Sequence, residues 1–297
     1  YAVFGVEPAC DNPSFLVQAV DMYLKQTGDA GFVQKILPAL DRGMSFVPRN
    51  RGTGMVWIDP FQPYCSYGFT DMVCKTGDEL FCSLLFMDAA GKIADWRETY
   101  QVGDPCTANR YSETAEYIRA HLHQFWNDEV QLYHAATYHC NQPDIWGSAY
   151  ACSERLAPGE YLDRLSVSLA DKTDQYVHRG QIRHIVYPTA WERLQSDSKD
   201  YRFSTGGIST KFALQHAHPG RYQNGAYWAT PLLWVYRSIA RVNPDKACGI
   251  VLESVDDFQR NGIWEWIGRS GEQAEQDYAA SAVMVYAAAK EAWESAQ

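Results

Sequence analysis

Two near-identical turns, Thr27-Gly28-Asp29 and Thr76-Gly77-Asp78, punctuate a chain whose apolar residues recur at helical spacing. Glycine closes a helix in the left-handed conformation and aspartate caps the next one, so the device reads as the joint of a helical hairpin. The preceding segment, Ser14 to Gln26, puts Leu16, Val17, Val20 and Leu24 on one face. A second helix is expected to about Val47, using Phe32, Ile36, Leu37 and Leu40. A third runs Leu80 to Trp96 and a fourth Ser112 to Trp126. Further helical patterns lie at 146–156, 160–175, 225–242, 245–258 and 275–293, the last rich in alanine.

Loops at 48–76, 178–224 and 259–274 are long and irregular, with short strand-like pieces at 130–135 and 182–187. No linker divides the chain, and 196–205 reads as a surface loop, so residues 1–297 are expected to form a single domain. Heptad seams are too few for a long coiled coil. The pattern suits an all-α toroid of helical hairpins of the (α/α)6 type, with long rim loops and short β pieces. Nine or ten helices are readable where six hairpins need twelve, so a ring short of one hairpin is allowed for.

Composition narrows the function. Formal charge is −10 with no basic stripe, which argues against nucleic-acid binding. No apolar run approaches the roughly 18 residues of a membrane span. The chain starts at Tyr1 without a signal-peptide pattern; a removed leader and a missing N-terminal piece are both allowed for, and a soluble protein, cytoplasmic or exported, is expected. Eight cysteines form no Cys-x-x-Cys pair, and Cys82, Cys152 and Cys248 fall in apolar helical patterns as buried thiols. The even count permits disulfides without requiring them. His121 and His123 are expected on different sides of a helix, and His216 and His218 in a loop. No metal or other cofactor is expected.

Aromatic residues make up 14% of the chain, including 10 Trp and 19 Tyr. Such a surplus packs between helices or walls a carbohydrate cleft. Glu265 sits between two tryptophans in Gly262-Ile263-Trp264-Glu265-Trp266, where poor solvation would tune its proton affinity. An aromatic loop, Tyr222-Gln223-Asn224-Gly225-Ala226-Tyr227-Trp228, precedes it. Glycoside hydrolysis usually needs two carboxyl groups flanking the scissile bond. Asp71 ends another aromatic loop, Tyr67-Gly68-Phe69-Thr70-Asp71, and Asp78 is expected to cap the following helix, leaving Asp71 free. Asp144, in Pro143-Asp144-Ile145-Trp146, reads first as a helix N-cap that a substrate hydroxyl could share. The plainer reading of Asp71 is a cap or loop brace, and of Glu265 an exposed strand residue. Glu192 and Asp277 are weaker candidates, as is the Asp256-Asp257 pair, expected to be solvated.

These segments resemble the six-hairpin glycosidases as a clan. Asn224-Gly225-Ala226-Tyr227-Trp228 resembles the Asn-Gly-Gly-x-Trp loop of neutral invertases, with Ala226 in place of the second glycine. Ile263-Trp264-Glu265-Trp266 resembles the segment carrying the catalytic base in α-L-rhamnosidases, invertases and trehalases, and Asp277 to Ala282 the start of their last inner helix. Gly68-Phe69-Thr70-Asp71 resembles the loop bearing the general acid in trehalases and debranching glucosidases. The longer signature around that acid is missing. The resemblance implies an inverting, exo-acting glycoside hydrolase with an oligosaccharide or glycoside substrate. Asp71 would be general acid and Glu265 general base. Tyr67, Trp146, Tyr227, Trp228, Trp264 and Trp266 would wall the sugar, and Lys75, Asp144 and Asn224 would bind hydroxyls. The alternatives are a sugar epimerase or isomerase, a polysaccharide lyase with Tyr222 as base, and a non-catalytic carbohydrate-binding protein.

Overall fold

A computed structural model describes residues 3, 4, 7–61, 73–194 and 218–297. Ten helices are found among them: α1 (Asn12–Thr27), α2 (Ala30–Ser45), α3 (Leu80–Thr99), α4 (Pro105–His121), α5 (Ile145–Ser153), α6 (Gly159–Asp171), the single turn α7 (Thr173–Tyr176), α8 (Leu232–Ala240), α9 (Pro244–Asn261) and α10 (Ala279–Ser295).

Hairpins α1–α2, α3–α4, α5–α6 and α8–α9 pack pairwise. The first member of each also packs on the next, giving a row α1, α3, α5, α8, α10 with α2, α4, α6 and α9 behind it. The two sets differ as their positions require. Helix α3 buries residues on every side, from Leu80 and Phe81 through Leu84, Leu85 and Phe86 to Ile93 and Trp96. Helix α2 buries only the stripe Val33, Leu37, Leu40 and Met44. The result is a helical toroid built from layered hairpins. Helices α1 and α10 stand at the ends of the row, where Met22 (63% exposed) and Tyr286 and Trp293 (each 70%) face outward.

The first joint forms as expected: Gly28 is left-handed, and Asp29 accepts from the Phe32 amide at 2.9 Å. The second differs. Gly77 has φ +83°, but the cap of α3 is Glu79, which accepts from the amides of Phe81 and Cys82 at 3.1 and 2.7 Å. Asp78 points elsewhere and accepts from Asn50, Thr53 and Gln124 at 2.8–3.0 Å. Gly77, Asp78 and Glu79 form strand β4, paired with β3 (Val56–Ile58), so the chain reaches α3 extended and the next residue is in capping position. Helix α4 begins seven residues before the expected Ser112, because Asp104 caps it and Pro105 occupies its first position.

Short strands complete the rim. Strands β1 (Val3–Phe4) and β2 (Glu7–Pro8) pair with each other, as do β5 (Trp126–Asn127) and β6 (Leu132–Tyr133). A five-stranded antiparallel sheet has the order β11-β10-β9-β8-β7, from β7 (Val177–His178), β8 (Gln181–Arg183), β9 (Tyr227–Trp228), β10 (Trp264–Ile267) and β11 (Gln273–Gln276). Two expectations change here. Tyr227 and Trp228 are strand, with the helix beginning only at Leu232, and the loop 259–274 contains β10. His121 and His123 lie on one side, their rings stacked at 6.3 Å, because the chain tightens into a 3-10 turn after α4. Asp257 is not solvated: it is buried against Arg179, Gln181 and Asn261. Cys82 and Cys152 are buried free thiols as expected, while Cys248 is only half-buried. No helix is long and apolar enough to cross a membrane among the described residues.

Candidate active site

Helices α3 and α5 begin side by side, and a carboxylate caps each. Glu79 caps α3, as above; Asp144 Oδ1 accepts from the Gly147 amide at 2.8 Å and caps α5. Helix N-termini carry partial positive charge, so both sites favour an acidic side chain. Between them lies Lys75, whose Nζ is 3.5 Å from Asp144 Oδ2 and 3.9 Å from Glu79 Oε1. His184, just beyond β8, brings Nε2 to 3.1 Å from Asp144 Oδ1 and 3.3 Å from Lys75 Nζ. All four residues are at most 3% exposed.

Burial sets their protonation. It pushes Glu79 up to about 7, against the opposing pull of Lys75 and the two capped amides. It pushes His184 down to about 4, with Lys75 acting in the same sense and Asp144 opposing. For Asp144 burial acts upward, but His184, Lys75 and the Gly147 amide outweigh it and hold the carboxyl below its usual range. At neutral pH the cluster is therefore an ionised Asp144, a neutral His184, and a Glu79 poised between its two forms.

Aromatic rings cover the cluster. Trp146 stacks on His184 with centroids 4.3 Å apart and planes 5° from parallel. Trp191 meets His184 edge-on at 5.0 Å, and Lys75 Nζ lies 5.0 Å from the Trp191 ring. Trp228 stands edge-on to Trp146 at 5.9 Å, and Tyr222 packs on Trp228 at 5.4 Å. The loops bearing these rings are tied together. Trp191 donates its amide to Asn224 Oδ1 and its indole N–H to the Gln223 carbonyl, both at 2.9 Å. Arg183 donates to the carbonyls of Gly225, Val186 and Thr189 at 2.7 Å and of Ile185 at 3.3 Å.

Of the residues expected to form the site, Lys75, Asp144, Trp146 and Trp228 meet here, with Asn224 one hydrogen bond away. Trp266 joins the same side through Tyr222, whose ring centroid is 6.4 Å away. Tyr227 alternates to the other face of β9. It packs against His178 at 5.2 Å, because successive strand residues point oppositely. Trp264 is half-buried and donates to the Asn261 carbonyl at the end of α9. Glu265 is half-buried on β10, on the face opposite both Trp264 and Trp266, so the indoles that bracket it in sequence do not sandwich it in space. Asp71 and Tyr67 lie outside the described residues. Sequence reasoning missed Glu79, His184 and Trp191. Glu79 had a legible signal, since it immediately precedes a long apolar helix; His184 and Trp191 had none, because their partners come from other elements. No three His, Cys, Asp or Glu side chains among the described residues are grouped to hold a metal ion.

No protein-family model and no curated protein sequence matches the chain. A solved structure named "Sialidase" aligns with TM-score 0.58 and 12% identity, covering 86% of this chain and 23% of that one. The chain shares that fold. It thus spans less than a quarter of the length of its fold relative. GH63 mannosylglycerate hydrolase from Thermus thermophilus, in complex with glucose, aligns with TM-score 0.48 and 12% identity over 71% of this chain and 45% of that one. The same enzyme with Tris and D-glycerate gives 0.47 and 13%, over 71% and 46%.

Proposed function

We propose that the protein is a glycoside hydrolase on an (α/α)6-type barrel, acting at a chain end with inversion. One observation carries the reading: a buried Lys75–Asp144–His184–Glu79 cluster lies beneath an aromatic wall of Trp146, Trp191 and Trp228. Indole faces stack on the C–H face of a sugar ring, and fixed polar groups orient its hydroxyls.

In this reading Asp71 is the general acid and Glu265 the general base. Asp71 lies four positions before Lys75 in the sequence. Glu265 is assigned on the resemblance of its segment alone; on β10 it shares the face of Ile267 and its partner Tyr227, opposite Trp228, so the base role requires the substrate to reach it at that face. Inversion needs the two carboxyls about 6.5–9.5 Å apart, with a water between Glu265 and the anomeric carbon. Asp71 protonates the leaving oxygen while Glu265 removes a proton from that water. Lys75 and Asp144 serve hydroxyl recognition, and Asn224 positions Trp191. Glu79, like Asp144, is wholly buried and caps a helix, and no step of the reaction is assigned to it.

The test is turnover of a panel of aryl glycosides, identified first with the native protein and then repeated with Asp71→Asn and Glu265→Gln. Each variant is expected to lose about 10²–10⁴-fold in kcat with circular dichroism unchanged. Near-native turnover in either removes that residue from the mechanism. Proton NMR of the first-formed anomer checks inversion.

A further inference from the structure

We infer that the face of the five-stranded sheet turned away from the tryptophan wall binds a small oxyanion, a carboxylate or a phosphate, at Arg269 where it lies over Tyr187. The site is built from β8 outward. Arg183 ends that strand, buried, on the same face as its partner Tyr227. Its guanidinium donates to the carbonyls of Ile185, Val186 and Thr189, so residues 185–189 wrap around it, and also to that of Gly225. The wrapped segment carries Tyr187, whose ring centroid is 5.5 Å from Arg183 Cζ. Arg269, two residues past β10, places its Cζ 4.2 Å from the same ring and 5.9 Å from that of Tyr227. Tyr187 is 47% exposed and Arg269 is exposed, so the ring and the guanidinium both open to solvent.

Two guanidiniums therefore border one ring, and among the described residues neither meets a carboxylate. Arg183 is satisfied by backbone oxygens alone, and Arg269 lies against two rings with no hydrogen bond. The acids near them are engaged: Asp257 pairs with Arg179, and Glu272 with Arg221 at 3.6 Å. Like charges held this close oppose one another. Burial, aided by Arg269, lowers the proton affinity of Arg183. Burial with Arg269 and Arg179 does the same to His178, which packs on Tyr227 and stays neutral. An anion at Arg269 relieves that repulsion. A guanidinium held over a ring presents a fork that matches the paired oxygens of a carboxylate or phosphate. In a chain of formal charge −10, a local positive patch also steers anions here rather than elsewhere on the surface.

Calorimetric titration of the native protein with inorganic phosphate and with acetate tests this, in bis-tris buffer with the ionic strength held by chloride. Saturable binding of at least one is expected. A preference for phosphate marks a phosphate ester as the ligand, and a preference for acetate marks a carboxylate. Arg269→Gln should weaken that binding by about tenfold or more, with circular dichroism unchanged. Arg221→Gln removes a neighbouring charge that already has a carboxylate partner, and should leave the binding as it is. No saturable binding of either anion overturns the inference, and so does native affinity in Arg269→Gln or an equal loss in Arg221→Gln. None of these outcomes depends on hydrolase activity.

Discussion

Asp144 and His184 meet at 3.1 Å, one capping α5 and the other just beyond β8, and Lys75 closes the triangle at 3.5 and 3.3 Å. The carboxylate thus does three things at once: it terminates a helix, compensates a buried ammonium, and orients an imidazole that stacks on Trp146.

Removing it should be costly in a graded way. Asp144→Ala loses an N-cap, about 1 kcal/mol, and removes the nearer carboxylate from the buried Lys75 charge, a further loss of up to about 3–5 kcal/mol. Asp144→Asn keeps an oxygen for the Gly147 amide and should lose less. Adding Lys75→Met to Asp144→Ala should recover part of the loss. Urea unfolding of the four proteins measures the order; equal losses in the two single variants would contradict the capping argument, and no recovery in the double variant would contradict the charge argument.

Stability against pH should show a compensation. Glu79 has its folded value raised from 4.5 to about 7, so its contribution is complete below 4.5 and is lost as pH rises through 7. His184 has its folded value lowered from 6.5 to about 4, so its contribution is complete above 6.5 and is lost as pH falls through 4. Between 4.5 and 6.5 the two slopes oppose, each on the order of 1 kcal/mol per pH unit. For this pair the native protein is expected to be nearly flat there. Glu79→Gln should make stability rise with pH across that window, and His184→Gln should make it fall. Thermal melts at pH 4.5, 5.5 and 6.5 decide it; matching profiles in all three proteins would refute it.

Gly225→Ala should damage the wall from a distance. Gly225 has φ +107°, and an added Cβ would overlap the Arg183 guanidinium. Both the backbone and the guanidinium must shift, and Arg183 holds the carbonyls that frame Trp191. A loss of about 2–4 kcal/mol is expected, with a changed near-ultraviolet tryptophan spectrum. A neutral substitution with an unchanged spectrum would show that Arg183 is not a brace.

The exposed rings of α10 give the opposite expectation. Tyr286 and Trp293 are each 70% exposed, so Tyr286→Ser and Trp293→Ser should each change stability by no more than about 0.5 kcal/mol. Larger losses in chemical denaturation would mean that this face is covered in solution.

Some of this was legible early. Most of the periodic faces of α1, α2 and α3, the Gly28–Asp29 joint, and Asp144 as a cap follow from patterns a few residues long, whereas Leu16 and Phe32, read onto the buried faces of α1 and α2, are exposed because they sit at the edge of those stripes. Asp104 and Pro105 were equally local, yet a search for apolar spacing passed over them because the first turns of α4 are polar. Tyr227 and Trp228 read as helix because an apolar run has no period of its own, and pairing with β8 and β10 decided for strand.

By itself the sequence determined an all-helical train of hairpins, an anionic chain, and a surplus of indoles with a few carboxylates in aromatic loops, because capping, periodicity and composition are local quantities. Tertiary structure decided which of those groups meet. Glu79, Lys75, Asp144 and His184 come from four separate positions, and their charge states exist only once burial has removed water from around them. Strand alternation likewise turned Glu265 away from its neighbouring tryptophans, a direction set by pairing across the sheet rather than by the residues on either side.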